Sequence, residues 1–333
     1  MNILISSLGE SPATVTETVD AIEREERNQI HQVITIGTSE WLVQLSQDVL
    51  YEEFAQFDGG RITYIPDGIE SQDLLTEENH LEFLNLVATN LKAHQFANVY
   101  LSLAGGRKTM SAVMTIAAQI YGAKMLCHIV PLDEELEKLG VIHTFADLPR
   151  EKQRNVLHPP AERVRLVRLP LVSLFPMLDD FLRVLQGQED ADPRAVQLLE
   201  DSHLVRREGG HVARTTSGEQ LFSVLRDIEQ LPTPSPQPPD QKQLTVHDHG
   251  YGGRYAKVQA FAKRLVTFPW AVSVQTVPYG RKPRTGIRAV HDDGRIEVDV
   301  KTGEFSAGLE IRTTAQTRGQ AERVARELEK FLR

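Results

Sequence analysis

The sequence lacks the features that mark secreted and membrane proteins. Its single cysteine, Cys127, has no partner for an intrachain disulfide, which is typical of a reducing compartment. No apolar run approaches the roughly 18 residues that span a bilayer. The start, MNILISS, lacks the basic and apolar segments of a secretory signal. We therefore expect a cytoplasmic protein that does not associate with membranes.

Over most of the chain, basic residues are outnumbered by acidic residues. The net charge is −9 over 333 residues, but residues 241–333 carry +7 and residues 1–240 carry −16. An acidic body thus carries a basic C-terminal region. Such a split predicts that the C-terminal region contacts a polyanion.

The first 150 residues alternate strand and helix signals. Apolar segments such as MNILISSL, QVITIGT and NVYLSLAGG are separated by helical patterns such as SPATVTETVDAIERE and KTMSAVMTIAAQIYG. Strands this apolar are buried on both faces, so we predict an α/β fold with a doubly wound, mostly parallel sheet over 1–150. In such sheets ligands bind beyond the carboxyl ends of the strands.

Two further regions are predicted after residue 150. Helical patterns around a short Gly209-Gly210 hairpin predict a winged helix-turn-helix over 165–231. Its candidate recognition helix, PRAVQLLEDSHL, has one arginine and two acidic residues, so we expect a spacer or dimerisation role rather than DNA binding. The proline-rich segment 232–243 predicts a linker, and 244–333 predicts a small α+β domain with an antiparallel sheet.

Two loops follow strands and precede helices, and both have residues suited to an anionic ligand. SSLGESPATVTET contains Gly9, and SLAGGRKTMS contains Gly105 and Gly106 beside two cations. Glycine lets backbone N–H groups approach a phosphate closely, and the hydroxyl residues add donors. Neither loop has the spacing of a P-loop or of a dinucleotide-binding motif.

The two loops resemble those of the CRISPR-associated Rossmann-fold (CARF) sensor domains. The resemblance covers about 145 residues and implies a homodimer that binds one cyclic oligoadenylate, most often the tetra-adenylate, across its two-fold axis. It implies that the cyclic tetra-adenylate is an allosteric activator and that the protein uses no metal or other cofactor. Carried over by position, the ligand-binding residues are Leu8, Gly9, Glu10, Ser11, Thr14, Gly105, Gly106, Arg107, Lys108, Thr109 and Met110, with Gly37, Thr38 and Ser39 as further candidates.

Some CARF domains also cleave their ligand by aligning a ribose 2′-hydroxyl with the next phosphate. By this resemblance Lys108 would stabilise the charge that develops on the phosphate, and Ser11 would orient the sugar. The sequence does not separate cleavage from binding alone.

The basic C-terminal region is the candidate effector. A HEPN nuclease needs an Arg-x4–6-His pair on a helical hairpin, and none of His247, His249 and His291 is placed that way. A restriction-like nuclease needs a D…ExK arrangement, and the nearest segment is EVDVK, where alternation places Glu297, Asp299 and Lys301 on one face.

The order of helix, strands and terminal helix suits a third candidate, a metal-independent RelE-like endoribonuclease. The combination of CARF, winged helix and RelE-like domain resembles a CRISPR-associated mRNA interferase of type III systems. That resemblance implies ribosome and mRNA as partners. The candidate catalytic residues are Tyr279, Arg281, Lys282, Arg284, Arg288 and Arg312.

Three functions remain open from the sequence. The first is a ribonuclease activated by cyclic oligoadenylate that cleaves mRNA, on the ribosome, in type III CRISPR antiviral defence. The second is a ring nuclease that degrades cyclic tetra-adenylate. The third is a ligand-controlled CARF–winged helix transcription factor.

Overall fold

The structure is a computed structural model that describes residues 1–57, 60–188, 190–208, 211–278, 284–301, 303 and 306–332. The chain divides into two compact units. The first comprises Met1–Leu91 and Gln95–Leu225, and the second comprises Lys92–His94 and Arg226–Arg333.

A six-stranded sheet forms the centre of the first unit. Its strands are β1 Asn2–Ser7, β2 Gln32–Gly37, β3 Thr63–Gly68, β4 Asn98–Ser102, β5 Met125–Pro131 and β6 Val164–Leu169. They lie in the order β3-β2-β1-β4-β5-β6. β1 to β5 are parallel, and β6 runs antiparallel to β5. The order is that of a doubly wound fold, which confirms the predicted α/β architecture with a mostly parallel sheet.

Helices connect these strands. They are α1 Ala13–Glu26, α2 Trp41–Glu52, α3 Glu77–Ala93, α4 Lys108–Tyr121, α5 Glu134–Gly140, α6 Ile142–Ala146 and α7 Arg150–Leu157. A short π-helical segment, Glu53–Phe57, continues α2. Every residue of β1 and β2 is buried, as expected for central strands covered on both faces. Pro66 lies in β3, an edge strand, where a missing N–H is tolerated.

The helix and hairpin signals of the middle region correspond to observed elements. These are α8 Leu178–Leu185, α9 Pro193–Asp201, the antiparallel strands β7 Val205–Glu208 and β8 His211–Arg214, and α10 Thr216–Glu229. Asp192 begins α9 by accepting a hydrogen bond from the backbone N–H of Arg194. The assignment of these elements to a winged helix-turn-helix stays a prediction.

The second unit has a five-stranded sheet with two helices. Its elements are β9 Gln243–Thr245, α11 Tyr255–Val266, β10 Ala271–Val277, β11 Gly286–Val290, β12 Arg295–Lys301, β13 Ser306–Thr313 and α12 Arg318–Leu332. The strand order is β11-β12-β13-β10-β9. The sheet is not wholly antiparallel as expected, because β9 pairs with β10 in parallel. Apolar residues of β10, β12 and β13 pack with both helices in one core.

Two features differ from the predicted domain limits of 1–150, 165–231, 232–243 and 244–333. The segment 164–169 is β6 of the first sheet, so the predicted start at residue 165 falls inside a strand of the preceding fold. The proline-rich segment, predicted as an extended linker, is part of the second unit and packs within it. Trp270 Nε1 donates to the Pro232 carbonyl at 2.8 Å, and the Ser235 N–H donates to the Pro269 carbonyl at 3.0 Å.

Within the described part of the chain, no helix combines the length and apolar character required to cross a membrane.

Candidate functional site

The two predicted ligand loops meet at the carboxyl ends of β1 and β4, which are neighbouring strands. A Cβ built on Gly9 would lie 2.6 Å from the backbone nitrogen of Gly106, so the loops contact each other backbone to backbone. Gly105 has a φ of +104°, and a Cβ there would lie 2.7 Å from the Ser7 carbonyl oxygen. Only glycine fits this contact without displacing one of the two loops.

Hydroxyl side chains support the two loops, and one of them joins the loops to each other. Ser7 Oγ donates to the Gly105 carbonyl at 2.9 Å, and Ser111 Oγ donates to the Leu103 carbonyl at 3.1 Å. Ser6 and Ser7 are fully buried within β1. These hydroxyls therefore support the loops and are not free to contact a ligand.

A pocket of about 220 Å³ opens between the two loops and the ends of β2 and β3. Its lining includes residues predicted from the sequence: Leu8, Gly9, Glu10, Thr38, Gly106, Arg107 and Met110. It also includes residues that sequence reasoning missed: Glu40, Val43, Gln72 and Asp73. The pocket thus joins both predicted loops to the strand ends beside them, as expected for a doubly wound sheet.

Arg107 is the cation that lines the pocket, and it is bound by Asp73. Arg107 Nε lies 3.1 Å from Asp73 Oδ1, and Arg107 Nη2 lies 2.9 Å from Asp73 Oδ2. The hydrogen bond from Arg107 lowers the pKa of the Asp73 carboxyl. The Arg107 side chain is still 65 % exposed. A ligand phosphate can therefore reach it, but in competition with a carboxylate.

Glu40, a second missed residue, begins α2 as its N-cap. Its Oε2 accepts hydrogen bonds from the N–H groups of Leu42 and Val43, at 2.7 and 3.1 Å. The sequence did contain this signal, because a short polar run precedes the apolar pattern WLVQL. Asp73 and Gln72 had no comparable signal, since they enter the pocket from the loop after β3 by tertiary folding alone.

The remaining predicted ligand residues lie beside the pocket and are not part of its lining. Ser11 and Thr14 form the first turn around the start of α1, where Thr14 Oγ1 donates to the Ser11 carbonyl at 2.9 Å. Ser39 Oγ donates to the Glu70 carbonyl at 2.7 Å. Lys108 and Thr109 are exposed at the start of α4. Lys108 has no ion pair with any residue that the structure describes.

The helices α1, α2 and α4 follow β1, β2 and β4, and they begin at this edge of the sheet. Backbone N–H groups at helix starts lack intrahelical partners and attract anions. α2 already has the carboxylate of Glu40 at its start, whereas α4 begins with exposed Lys108. The arrangement favours an anionic ligand that contacts the α4 end of the pocket.

The predicted catalytic residues of the C-terminal region fall into two groups. Tyr279, Arg281 and Lys282 lie outside the described residues. Arg284, Arg288 and Arg312 belong to one sheet, or directly precede it. Arg312 is exposed and has no ion pair among the residues described.

Arg284 and Arg288 are already bound to carboxylates. Arg284 Nε donates to Asp299 Oδ2 at 3.1 Å. Arg288 donates to Glu297 Oε2 from Nε at 2.8 Å and from Nη2 at 2.7 Å, and its Nη1 contacts Pro278 O and Asp299 Oδ1. Few N–H groups of Arg288 therefore remain for a phosphate, so the predicted direct role of this residue lacks support. Glu297 and Asp299 share one face as predicted, but arginines occupy both carboxylates.

Comparisons with known proteins agree with the geometry of the first unit. The family described as CRISPR-associated protein NE0113 (Cas_NE0113) matches residues 11–202, more than half of the chain. The CRISPR system ring nuclease SSO2081 of Saccharolobus solfataricus is 26 % identical over 156 residues, which are 45 % of this chain and 84 % of that protein.

Solved structures show weaker likeness. Enterococcus italicus Csm6 bound to cyclic hexa-2′-fluoro-hexa-dAMP superposes with a TM-score of 0.32 at 13 % identity, over 69 % of this chain and 54 % of Csm6. This chain thus spans about half the length of that protein. SCL7 of Oryza sativa has a TM-score of 0.24 at 8 % identity, over 93 % of this chain and 73 % of SCL7. Neither superposition is close enough to support an argument about function.

Proposed function

Because the chain belongs to the CRISPR-associated protein NE0113 family, we propose that its first unit binds a cyclic oligoadenylate and that binding activates RNA cleavage by the C-terminal region. The pocket carries this proposal. It is lined by both glycine loops together, including Gly9 and Gly106, at the strand ends where a doubly wound sheet binds ligands.

The chemistry of the pocket suits linked nucleotides. Arg107 in the lining and Lys108 beside it offer positive charge to phosphates. Glu10, Glu40 and Gln72 offer acceptors for ribose hydroxyls and for the exocyclic amine of adenine. A pocket of about 220 Å³ is too small for a whole ring of four nucleotides, so each copy of the chain would hold part of it.

A symmetric dimer follows from this division of the ligand. A cyclic tetra-adenylate has rotational symmetry, so two copies related by a two-fold axis present the same loops to each half of the ring. The ligand must favour one of two arrangements of the dimer in order to activate anything. Homodimer formation, the tetra-adenylate ring size and the relay through the α8–α10 region are parts of the proposal.

The basic C-terminal region is the proposed ribonuclease, with mRNA on the ribosome as its substrate. Its net charge of +7 over 241–333 suits a polyanion. Arg312 is exposed and has no ion pair among the described residues, and the side chain of Arg284, just before the sheet, is 54 % exposed. Both provide cations for such a substrate. The RelE-like assignment depends on element order and charge.

A second candidate is a ring nuclease that opens its own ligand. The ring-nuclease relative supports it, as does the exposure of Lys108 at the start of α4. Lys108 would stabilise the charge on the phosphate under attack by the neighbouring 2′-hydroxyl. Ser11, proposed to orient the sugar, lies at the adjoining start of α1.

The decisive experiment follows both RNAs at once. Labelled cyclic tetra-adenylate is incubated with the purified full chain, with and without translating ribosomes that carry a reporter mRNA. Ligand-dependent cuts in the mRNA support the proposal, and ring opening with intact mRNA supports the ring nuclease. A protein that binds the ligand and cleaves neither RNA contradicts both nuclease functions, and the ligand-controlled transcription factor then remains as the candidate.

Lys108→Ala tests the site assignment, with Lys152→Ala as its control. Lys152 is an exposed lysine on α7 of the same unit. We expect Lys108→Ala to lower ligand affinity at least about tenfold and to abolish the response, because it removes a charge-assisted phosphate contact. Lys152→Ala should respond like the wild type. An unchanged response in Lys108→Ala would refute the assignment.

A further inference from the structure

One face of the second unit's sheet carries a polar network away from the core. Ile296, Val298 and Val300 of β12 pack in the core with α11 and α12. The alternating residues Glu297 and Asp299 therefore lie on the opposite face. The two helices do not cover this face, because they pack on the apolar side.

The network extends from a buried carboxylate to a partly exposed imidazole. Asp299 is 3 % exposed and binds Arg284 and Arg288. Arg288 binds Glu297 Oε2 at 2.7 Å, and the other oxygen, Oε1, lies 3.1 Å from His291 Nε2. The side chain of His291 is 34 % exposed. The network thus ends in a titratable group that a ligand on the open face can contact.

The backbone aims Arg288 into this network. The register between β11 and β12 shifts between Ile287 and Ala289, which leaves Arg288 as the extra residue of a β-bulge. Bulges redirect side chains and are frequent beside active sites. Here the bulge directs Arg288 toward Glu297 and Asp299, where it fixes the orientation of both carboxylates.

The hydrogen bond to Glu297 also fixes the tautomer of His291. A carboxylate only accepts hydrogen bonds, so Nε2 of the imidazole carries the proton and donates it. Nδ1 then has a free lone pair, and it has no hydrogen-bond partner among the residues that the structure describes. An imidazole oriented by a carboxylate in this way acts as a base.

One cation, Arg312, lies close enough to hold a phosphate beside this imidazole. His291 pairs with Arg295 through its backbone N–H, and Arg295 stands opposite Arg312 on β13. His291 and Arg312 are therefore about two strand spacings apart, roughly 10 Å. An extended arginine side chain reaches across most of that distance, and Arg312 has no ion pair in the described part of the chain.

We propose that this face is a catalytic centre for RNA cleavage in which His291 is the base and Glu297 positions it. The inference rests on the proposed ribonuclease function and assigns its catalytic roles to individual side chains. Arg312 would hold the phosphate, and Arg288 would position Glu297.

The reaction balances without any further reactant than water. His291 Nδ1 takes the proton of a ribose 2′-hydroxyl, and the 2′ oxygen forms a bond to the adjacent phosphorus. The bond from phosphorus to the 5′ oxygen breaks, and that oxygen takes a proton from water. The resulting hydroxide takes the proton from the imidazolium, which restores neutral His291. The products are a 2′,3′-cyclic phosphate and a 5′-hydroxyl.

The test compares His291→Ala and Glu297→Gln with His247→Ala in the full chain activated by cyclic tetra-adenylate. The substrate is labelled mRNA on translating ribosomes. His247 is an exposed histidine of the same unit. We expect His291→Ala to lower the cleavage rate about 100-fold or more and His247→Ala to change it less than about twofold. Cleavage by His291→Ala at the wild-type rate would overturn the inference.

Two readouts separate catalysis from structural support. Added imidazole should restore cleavage at least about tenfold in His291→Gly, because the free base replaces the missing one. Glu297→Gln should lower the rate in the wild-type background and add no further loss to His291→Ala, because it acts through His291. A lack of imidazole rescue, or products with a 5′-phosphate, would overturn the inference.

The failure of the inference is distinguishable from that of the proposed function. A wild-type protein that binds cyclic tetra-adenylate and leaves all RNA intact refutes the ribonuclease and this centre together. A wild-type protein whose cuts persist in His291→Ala refutes this centre alone and directs the search to other residues of the basic region.

Discussion

At the residue scale, an anionic ligand must compete with Asp73 for the guanidinium of Arg107. The guanidinium that would bind a phosphate already binds a carboxylate through two hydrogen bonds. Exposed pairs of this kind contribute only about 0.2–1 kcal/mol, so a phosphate with several charges can replace Asp73. The pair therefore lowers affinity for a single phosphate more than for a polyvalent ligand.

Asp73→Asn should strengthen ligand binding. The substitution removes a charge that competes for Arg107 and repels phosphates, so we expect roughly three- to fivefold tighter binding of cyclic tetra-adenylate. Isothermal titration calorimetry measures the difference. Glu70→Gln is the matched control, because it removes the same charge from the same loop without contact to Arg107. Weaker binding by Asp73→Asn would show that Asp73 itself contacts the ligand.

Gly105→Ala should destabilise the first unit. A Cβ at this position would approach the Ser7 carbonyl to 2.7 Å, in addition to the cost of a φ of +104°. We expect a loss of at least about 2 kcal/mol in the free energy of unfolding. Gly187→Ala isolates the backbone cost, because its φ is +77° and no atom lies within 4 Å of the added Cβ.

Urea denaturation measures both glycine variants. Gly187→Ala should lose only about 1 kcal/mol, the ordinary cost of a left-handed alanine. Equal losses in the two variants would mean that the β1 and β4 loops separate easily, and would contradict the close contact on which the pocket depends.

At the element scale, a histidine bound to two carboxylates connects α1, the π-helical segment and the end of α7. His158 Nδ1 lies 2.7 Å from Asp20 Oδ2, and His158 Nε2 lies 3.0 Å from Glu53 Oε1. Burial alone would lower the pKa of His158, but the hydrogen bonds and charges of Asp20 and Glu53 raise it to about 9. Glu17 on the same helix is buried, and burial followed by the charge of Asp20 raises its pKa to about 8.

The first unit should therefore lose stability as the pH rises. A histidine with a raised pKa stabilises fully below its ordinary value of 6.5, and that contribution is lost as the pH passes about 9. Because a third of the His158 side chain is exposed, solvent screening limits the contribution to roughly 1–2 kcal/mol. Glu17 adds to the loss between its ordinary value of 4.5 and about 8.

Urea midpoints across this pH range check the expectation. His158→Gln should be less stable than the wild type at acidic pH and should approach it at alkaline pH, which flattens the profile. Glu17→Gln removes the other group and should flatten only the lower part of the range. A wild-type profile that rises through the range would contradict the assignment.

Elements were predictable where local pattern and tertiary role agree. β1 and β4, with the loops at Gly9 and Gly105, follow from apolar runs and glycine chemistry. β6 did not, because it is an edge strand whose two arginines lie three residues apart, outside the period of two that indicates a strand, and whose pairing depends on β5. The packing of the proline-rich segment depends on Trp270, far along the chain, and local composition carries no information about it.

At the scale of the whole molecule, the sequence predicted the distribution of net charge but not which charged side chains form ion pairs. The basic region was evident from its net charge of +7. The structure shows that Arg284 and Arg288 are bound to carboxylates while Arg312 is exposed. Likewise, Asp73 entered the ligand pocket from a loop with no motif. Charge counts locate a polyanion-binding region, but only cross-strand register identifies which cations are available.

The two tryptophans give each unit its own optical reporter. Trp41 is 67 % exposed and follows Glu40, which lines the pocket. Trp270 is 2 % exposed in the core of the second unit. A water-exposed indole emits at longer wavelength and is quenched by acrylamide, whereas a buried indole is protected. Binding of the proposed ligand at the pocket and unfolding of the basic region are therefore separable by fluorescence in one unlabelled sample.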